Sequence, residues 1–265
     1  MTSGPQDAAA TRDRPPPARP GATWREHLPR SFLTPFLAPL YEVAVPFLLD
    51  RPSGPADILD VGCGRGHNTN LFDRLGMRAE GIDLNAESIE TARRTYPSAT
   101  FHCHDVHDLP FDDASFDATC SFSVLQYVDW RRVLRECDRV LRPGGKAVFI
   151  ENLAGSPLAK AYRMAHRLLG WRYPACQTPR RHIDWAERRE FAEVFDNVSC
   201  RAFHLTDLLM LIGPGLKRAL LKHPLWVKPG RCFRALHRLD GRLLRRWPRL
   251  AGRCWMAVIC AEKRT

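Results

Sequence analysis

ILDVGCGRG, residues 58–66, is a short apolar run that empties into a glycine-paved turn. Such a run reads as a buried strand, and glycines directly after it let the backbone approach a ligand closely or turn sharply. The glycines are Gly62, Gly64 and Gly66, whereas a dinucleotide-binding G-x-G-x-x-G turn needs its third glycine where His67 stands. The spacing argues against a nicotinamide site. Asp60, two residues before the first glycine, brings a carboxylate to the loop, which attracts a cationic ligand and repels a pyrophosphate.

The next segments extend this site. Met77 to Leu84 reads as a second strand, and Asp83 at its carboxyl end is placed to accept hydrogen bonds from both hydroxyls of a ribose. Phe101 to Cys103 reads as a third strand, after which the Asp105 carboxylate and the Val106 amide offer the acceptor and donor that an adenine edge requires. Phe116 to Ser123 is a fourth, and its end, with Ser121, Phe122 and Gln126, faces the crevice where ligands gather above parallel strands. Taken singly, Asp83 serves equally as a helix cap, Asp105 as a turn residue and Cys63 as a small loop filler. The spacing of the two aspartates after Gly66 favours the binding roles.

With these residues the chain resembles the class I S-adenosylmethionine-dependent methyltransferase family, in its small-molecule (type 11-like) branch. The resemblance runs from about Asp57 to Asn152 through GIDLN (81–85), HDVHDLPFDDASFDAT (104–119), SVLQYV (123–128) and LRPGGKAVF (141–149). It implies an α/β fold: a Rossmann-like, doubly wound, seven-stranded sheet, mostly parallel, with CWMAVICA (254–261) as the one antiparallel strand. It also implies S-adenosyl-L-methionine as cofactor, held by Asp60, Gly62, Cys63, Gly64, Asp83, Leu84, Asp105, Val106, Ser121, Phe122 and Gln126. The ammonium and sulfonium of that molecule suit an acidic site. Methyl transfer is an in-line displacement that needs alignment in a dry pocket and no covalent enzyme intermediate. A hydroxyl acceptor benefits from a base, and His182 and His204 are the candidates, ahead of His166, with Tyr127 and Asp129 as unranked alternatives. Many family members carry a histidine near the position of Gln126, which puts a base from that segment in doubt here.

At 265 residues the chain suits one large domain with elaborations. Residues 1–22, rich in Pro, Ala, Arg and Gly, read as a disordered tail ahead of a methyltransferase domain over 23–265. Thr23 to Leu49 reads as two short helices beside the pocket, Asn85 caps a helix through Arg94, and Trp130 to Val140 forms a helix laid on the sheet. Helical insertions are expected at about 153–195 and 205–253, with a strand from Asn197 to His204 between them. No apolar run approaches the roughly 18 residues needed to span a bilayer. Nine cysteines without metal-ligand or paired spacing read as reduced thiols in a cytoplasm, with neither zinc nor disulfides.

Charge divides the molecule. Residues 151–265 hold 23 Lys and Arg against 9 Asp and Glu, so the net +11 of the whole leaves the first 150 slightly acidic. Much of the excess lies on an expected helix whose Phe233, Leu236, Leu239, Leu243 and Leu244 make an apolar stripe amid arginines, with Trp226 and Trp247 nearby. That pattern suits a solvated face packed by its leucines, or peripheral contact with anionic lipid. No RNA-binding module or base-stacking platform accompanies it, so nucleic acid ranks below a small-molecule acceptor. RRHIDW (180–185) and LDGRLLRRWP (239–248) are loosely similar to methyltransferases of bacterial glycan or secondary-metabolite pathways. A monomer and a homodimer both fit.

Overall fold

The computed structural model describes residues 37–50, 56–168, 181–206 and 231–265. The expected tail, residues 23–36 of the helical prelude, Arg180, Trp226 and the middle of the second insertion lie outside the described residues.

Seven strands form one sheet: β1 (Asp57–Val61), β2 (Arg78–Asp83), β3 (Thr100–Cys103), β4 (Phe116–Phe122), β5 (Leu141–Asn152), β6 (Asp196–Phe203) and β7 (Met256–Glu262). Their spatial order is β3-β2-β1-β4-β5-β7-β6. The first five pair in parallel, and β7 runs antiparallel between β5 and β6. This is the Rossmann-like, doubly wound sheet with one reversed strand. Central strands of such a sheet are covered on both faces and so read as nearly continuous apolar runs; Ile58, Leu59 and Val61 of β1 are fully buried.

One face carries α1 (Ala38–Leu49) and α2 (His67–Arg74) over Ile58, Ala118 and Val148. The other carries α4 (Trp130–Val140) and the short α6 (Phe191–Val194), over Leu59, Val61, Phe149 and Ile259. Asp129 caps α4 by accepting from the Arg132 amide at 3.4 Å, and Val133, Leu134, Cys137 and Val140 fall at three- and four-residue spacing on its buried side. Trp130 stacks on Phe191, ring centres 5.5 Å apart, which joins the two helices. Asn85 caps α3 (Ala86–Thr95), its side chain accepting from the Ser88 amide at 2.8 Å.

β5 begins at Leu141 directly after α4, with no separate loop at LRPGG, and its pairing with β4 slips between Phe116 and Ala118. Within the first expected helical insertion, a 3-10 turn, Trp185–Glu190, leads directly into α6. Past β5 the chain also forms α5 (Pro157–Leu168), which holds His166, and α7 (Arg231–Arg246). Strand order reverses at β1, whose neighbours β2 and β4 lead the chain in opposite directions. Ligands of open α/β sheets collect at the carboxyl ends of strands at such a point.

Candidate active site

The turn after β1 folds back over β2. Gly62 and Cys63 amides donate to Ile82 O at 2.8 and 2.9 Å, the Gly64 amide donates to Asp83 Oδ2 at 2.9 Å, and the Gly66 amide donates to Cys63 O at 2.9 Å. Four amides are thus spent inside the protein, where a phosphate cradle would aim them at the ligand. Gly62 holds φ +73°, and a Cβ there would stand 2.3 Å from Val124 Cγ2. A Cβ on Gly64 would meet no atom within 4 Å, because that side of the turn faces open space.

That space is a cavity of about 660 Å³ at the carboxyl ends of β1, β2 and β4. The structure gathers Gly62, Gly64, Asp83, Leu84, Asp105, Val106 and Phe122 into its wall, together with Asn85, Ser88, His107, Val124 and Tyr127. Leu84 is 69% exposed, so an apolar side chain waits in the opening. Asp83 grips the turn with one oxygen and accepts the Asn85 amide at 2.8 Å with the other. Asp105 Oδ1 accepts from the His107 amide at 2.9 Å and faces His107 Nδ1 at 2.6 Å. The Asp129 amide donates to His107 Nε2 at 3.0 Å, so that nitrogen is unprotonated and Nδ1 carries the proton. The His107 amide, more than its ring, holds the Asp105 carboxyl below the usual carboxylate range. Two aspartates in apolar walls make a site for a cation with apolar parts.

Four expected residues sit behind the wall. Asp60 is buried, accepts from Thr69 Oγ1 at 2.7 Å and from Cys120 Sγ at 3.5 Å, and is pushed up to about 6 by burial. Cys63 packs with Ile89, Ala92 and Phe101, and burial drives its thiol far above the ordinary range, so it is no nucleophile. Ser121 faces a small pocket shared with Tyr41 of α1. Gln126 is buried, donating to Ser123 O at 3.1 Å and accepting from Asn152 Nδ2 at 3.4 Å.

The two histidine candidates separate. The Arg181 amide donates to Gln126 O at 3.2 Å and Ile183 bridges to Leu153, so His182 rides the segment that crosses the ends of β4 and β5. His204 is buried at the end of β6, its ring centre 6.2 Å from both Phe203 and Trp255, and two strands, β5 and β7, intervene between β6 and β4.

Sequence reasoning passed over Glu151. It sits fully buried near the end of β5, and its Oε1 accepts from the Val124 and Leu125 amides at 3.0 and 3.1 Å. These bonds pin the loop whose Val124 leans on Gly62. Burial pushes the carboxyl up to about 8 against the two amide bonds that favour its charge. Between the ordinary value of 4.5 and about 8 the native protein keeps a proton that the unfolded chain has released, so stability is full below that window and falls as pH rises through it. Urea unfolding between pH 6 and 8, above the Asp60 transition at about 6, should show stability dropping by up to about 1.4 kcal/mol per pH unit, and Glu151→Gln should flatten that slope. An unchanged slope in the variant would remove this assignment.

Known proteins place the chain in a family. Residues 59–149 match a family described as a methyltransferase domain. Demethylmenaquinone methyltransferase of Thermotoga maritima is 39% identical over 102 residues, which are 37% of this chain and 44% of that protein. Ubiquinone biosynthesis O-methyltransferase of Xanthomonas oryzae pv. oryzae is 31% identical over 175 residues, 63% of this chain and 70% of that protein. Geranyl diphosphate C-methyltransferase from Streptomyces coelicolor A3(2), solved with S-adenosyl-L-homocysteine, shares the fold over 85% of this chain and 76% of its own, with a TM-score of 0.54 and 18% identity. The chain belongs to the class I S-adenosylmethionine-dependent methyltransferases. It spans less than half the length of the Thermotoga relative.

Proposed function

We propose that this chain transfers a methyl group from S-adenosylmethionine to a small-molecule acceptor with an apolar body. The observation that carries the reading is the cavity at the switch point, where Asp83 and Asp105 stand among apolar side chains and the turn amides are already spent. The residues present fit a cationic, nucleoside-bearing donor. When bound, that donor supplies an electrophilic methyl whose sulfonium charge disperses during transfer. Asp83 would hold the ribose hydroxyls, Asp105 and the Val106 amide the adenine edge, and Leu84 and Phe122 would exclude water. For a hydroxyl acceptor the base is His182 rather than His204, because only the former lies beside Gln126 above β4 and β5. Two relatives named for quinone biosynthesis support an acceptor with an apolar body.

A second reading, that the acceptor is met at an anionic membrane surface, draws on α7. Its exposed face carries Arg234, Arg238, Arg242, Arg245 and Arg246, and Trp247 beyond it is 52% exposed. No helix among the described residues is long and apolar enough to cross a membrane.

The test incubates the protein and methyl-labelled S-adenosylmethionine with metabolite, lipid and RNA fractions of the native cell, with and without phosphatidylglycerol vesicles. Label should enter a small-molecule or lipid fraction, faster with vesicles if the second reading holds. Label in RNA, or donor binding with no transfer to any fraction, would overturn the proposal.

A further inference from the structure

A second cavity, of about 430 Å³, lies between the last half of β6 and α7. Nothing in the donor reading uses it. Because β7 is antiparallel to both β5 and β6, β6 runs parallel to β5, and the cavity lies towards the same edge of the sheet as the glycine turn. Its lining is apolar and aromatic on both sides of the edge strand: Trp185, Ala202 and Leu244 pack with the cluster on one face of the sheet and Phe203 with that on the other. Its charged wall is cationic. Arg201 and Arg245 are both exposed at the lining, Arg201 lies 5.4 Å over the Phe203 ring, and neither guanidinium has a carboxylate partner among the described residues. The one carboxylate there, Asp240, is buried and committed to the turn after β6: it accepts from the Leu205 amide at 2.8 Å, the Thr206 amide at 2.9 Å and Thr206 Oγ1 at 2.5 Å. His204 and His237 complete the polar lining, the latter stacked on Phe233 with ring centres 6.0 Å apart.

An apolar lining with a few convergent polar groups at its margin is the usual make-up of a small-molecule site, and planar guanidiniums recognise carboxylate and phosphate by paired hydrogen bonds. We infer that the cavity between β6 and α7 binds a small amphiphilic anion, an apolar body ending in a carboxylate or phosphate. The inference goes beyond the donor site and does not depend on it.

Hexyl phosphate, hexanoate and hexanol, titrated into the full chain by calorimetry, test it. Both anions should bind saturably in the millimolar range, about what so few atoms sustain, and hexanol at least about tenfold more weakly. Arg201→Gln and Arg245→Gln should each weaken the anions about fivefold to tenfold, and the double variant should abolish the preference for charge. S-adenosylhomocysteine, titrated into the same variants, should keep its affinity, which reports the donor cavity separately. Equal binding of hexanol and the anions, no saturable binding at about 10 mM, or unaltered anion affinity in the double variant would overturn the inference. A loss of S-adenosylhomocysteine binding in the unaltered chain would strike the donor reading and leave this one standing.

Discussion

Asp83→Ala should weaken binding of S-adenosylhomocysteine by about 100- to 10,000-fold, measured by calorimetry at neutral pH. The side chain does two jobs at once. Its oxygens take the Gly64 and Asn85 amides, which ties the turn after β1 to the start of α3, and they stand in the cavity wall where ribose hydroxyls would reach them. Hydrogen bonds to a charged group are worth about 1.5–3 kcal/mol each, so losing two to the ligand, about 3–6 kcal/mol, accounts for about two to four powers of ten. Asp83→Asn keeps the shape and an acceptor oxygen but loses the charge, and should fall between, at about tenfold to thirtyfold. Affinity unchanged in the alanine variant would mean that the donor sits elsewhere.

Gly62→Ala is the other large effect, and it reads on folding before binding. Gly62 has φ +73°, and the added methyl would lie 2.3 Å from Val124 Cγ2 and 2.8 Å from Cγ1. A left-handed conformation costs a residue with a side chain about 1–2 kcal/mol, and forcing a methyl into a packed site costs about 1–3 more. The sum, about 2–5 kcal/mol, is a large share of the total of about 5–15 that holds a typical domain. Chemical denaturation should show it directly. Val124→Ala in the same chain removes both clashing carbons and should return the packing part while leaving the backbone part. A Gly62→Ala protein as stable as the parent would contradict the close approach of these two segments.

Much of this was legible in the chain because it is written locally. An apolar run meeting glycines marks β1 and its turn, Asp83 and Asp105 follow at the ends of their strands, and Asn85 and Trp130 to Val140 announce a cap and an amphipathic face. Asp60 shows the limit of that reading. Its place in the strand is plain, yet whether its carboxylate meets ligand or protein depends on Thr69 and Cys120, which only folding brings to it. Glu151 escaped for the same reason: an acid in the run FIEN looks like a strand end facing water until β5 is covered and the Val124–Leu125 amides arrive. The histidines could not be ranked by position along the chain, since 182 and 204 are near neighbours in number and lie on opposite sides of two strands. No signal in the sequence told how α7 would meet β6, so the cavity between them had no forerunner there.

The placement of β7 bears on how the molecule is made. Among the described residues β6 borders the sheet, and its one hydrogen-bonded neighbour there is β7, which is synthesised after it with α7 in between. While the ribosome is still adding residues 204–255, β5 has one side bare of the described strands and β6 has none of them to lie against. Exposed strand borders of this kind invite pairing with other chains. The nascent protein therefore passes through an interval in which five strands can be in place and the sheet is still open to misassociation, and the arrival of residues 256–262 closes both gaps in a single step.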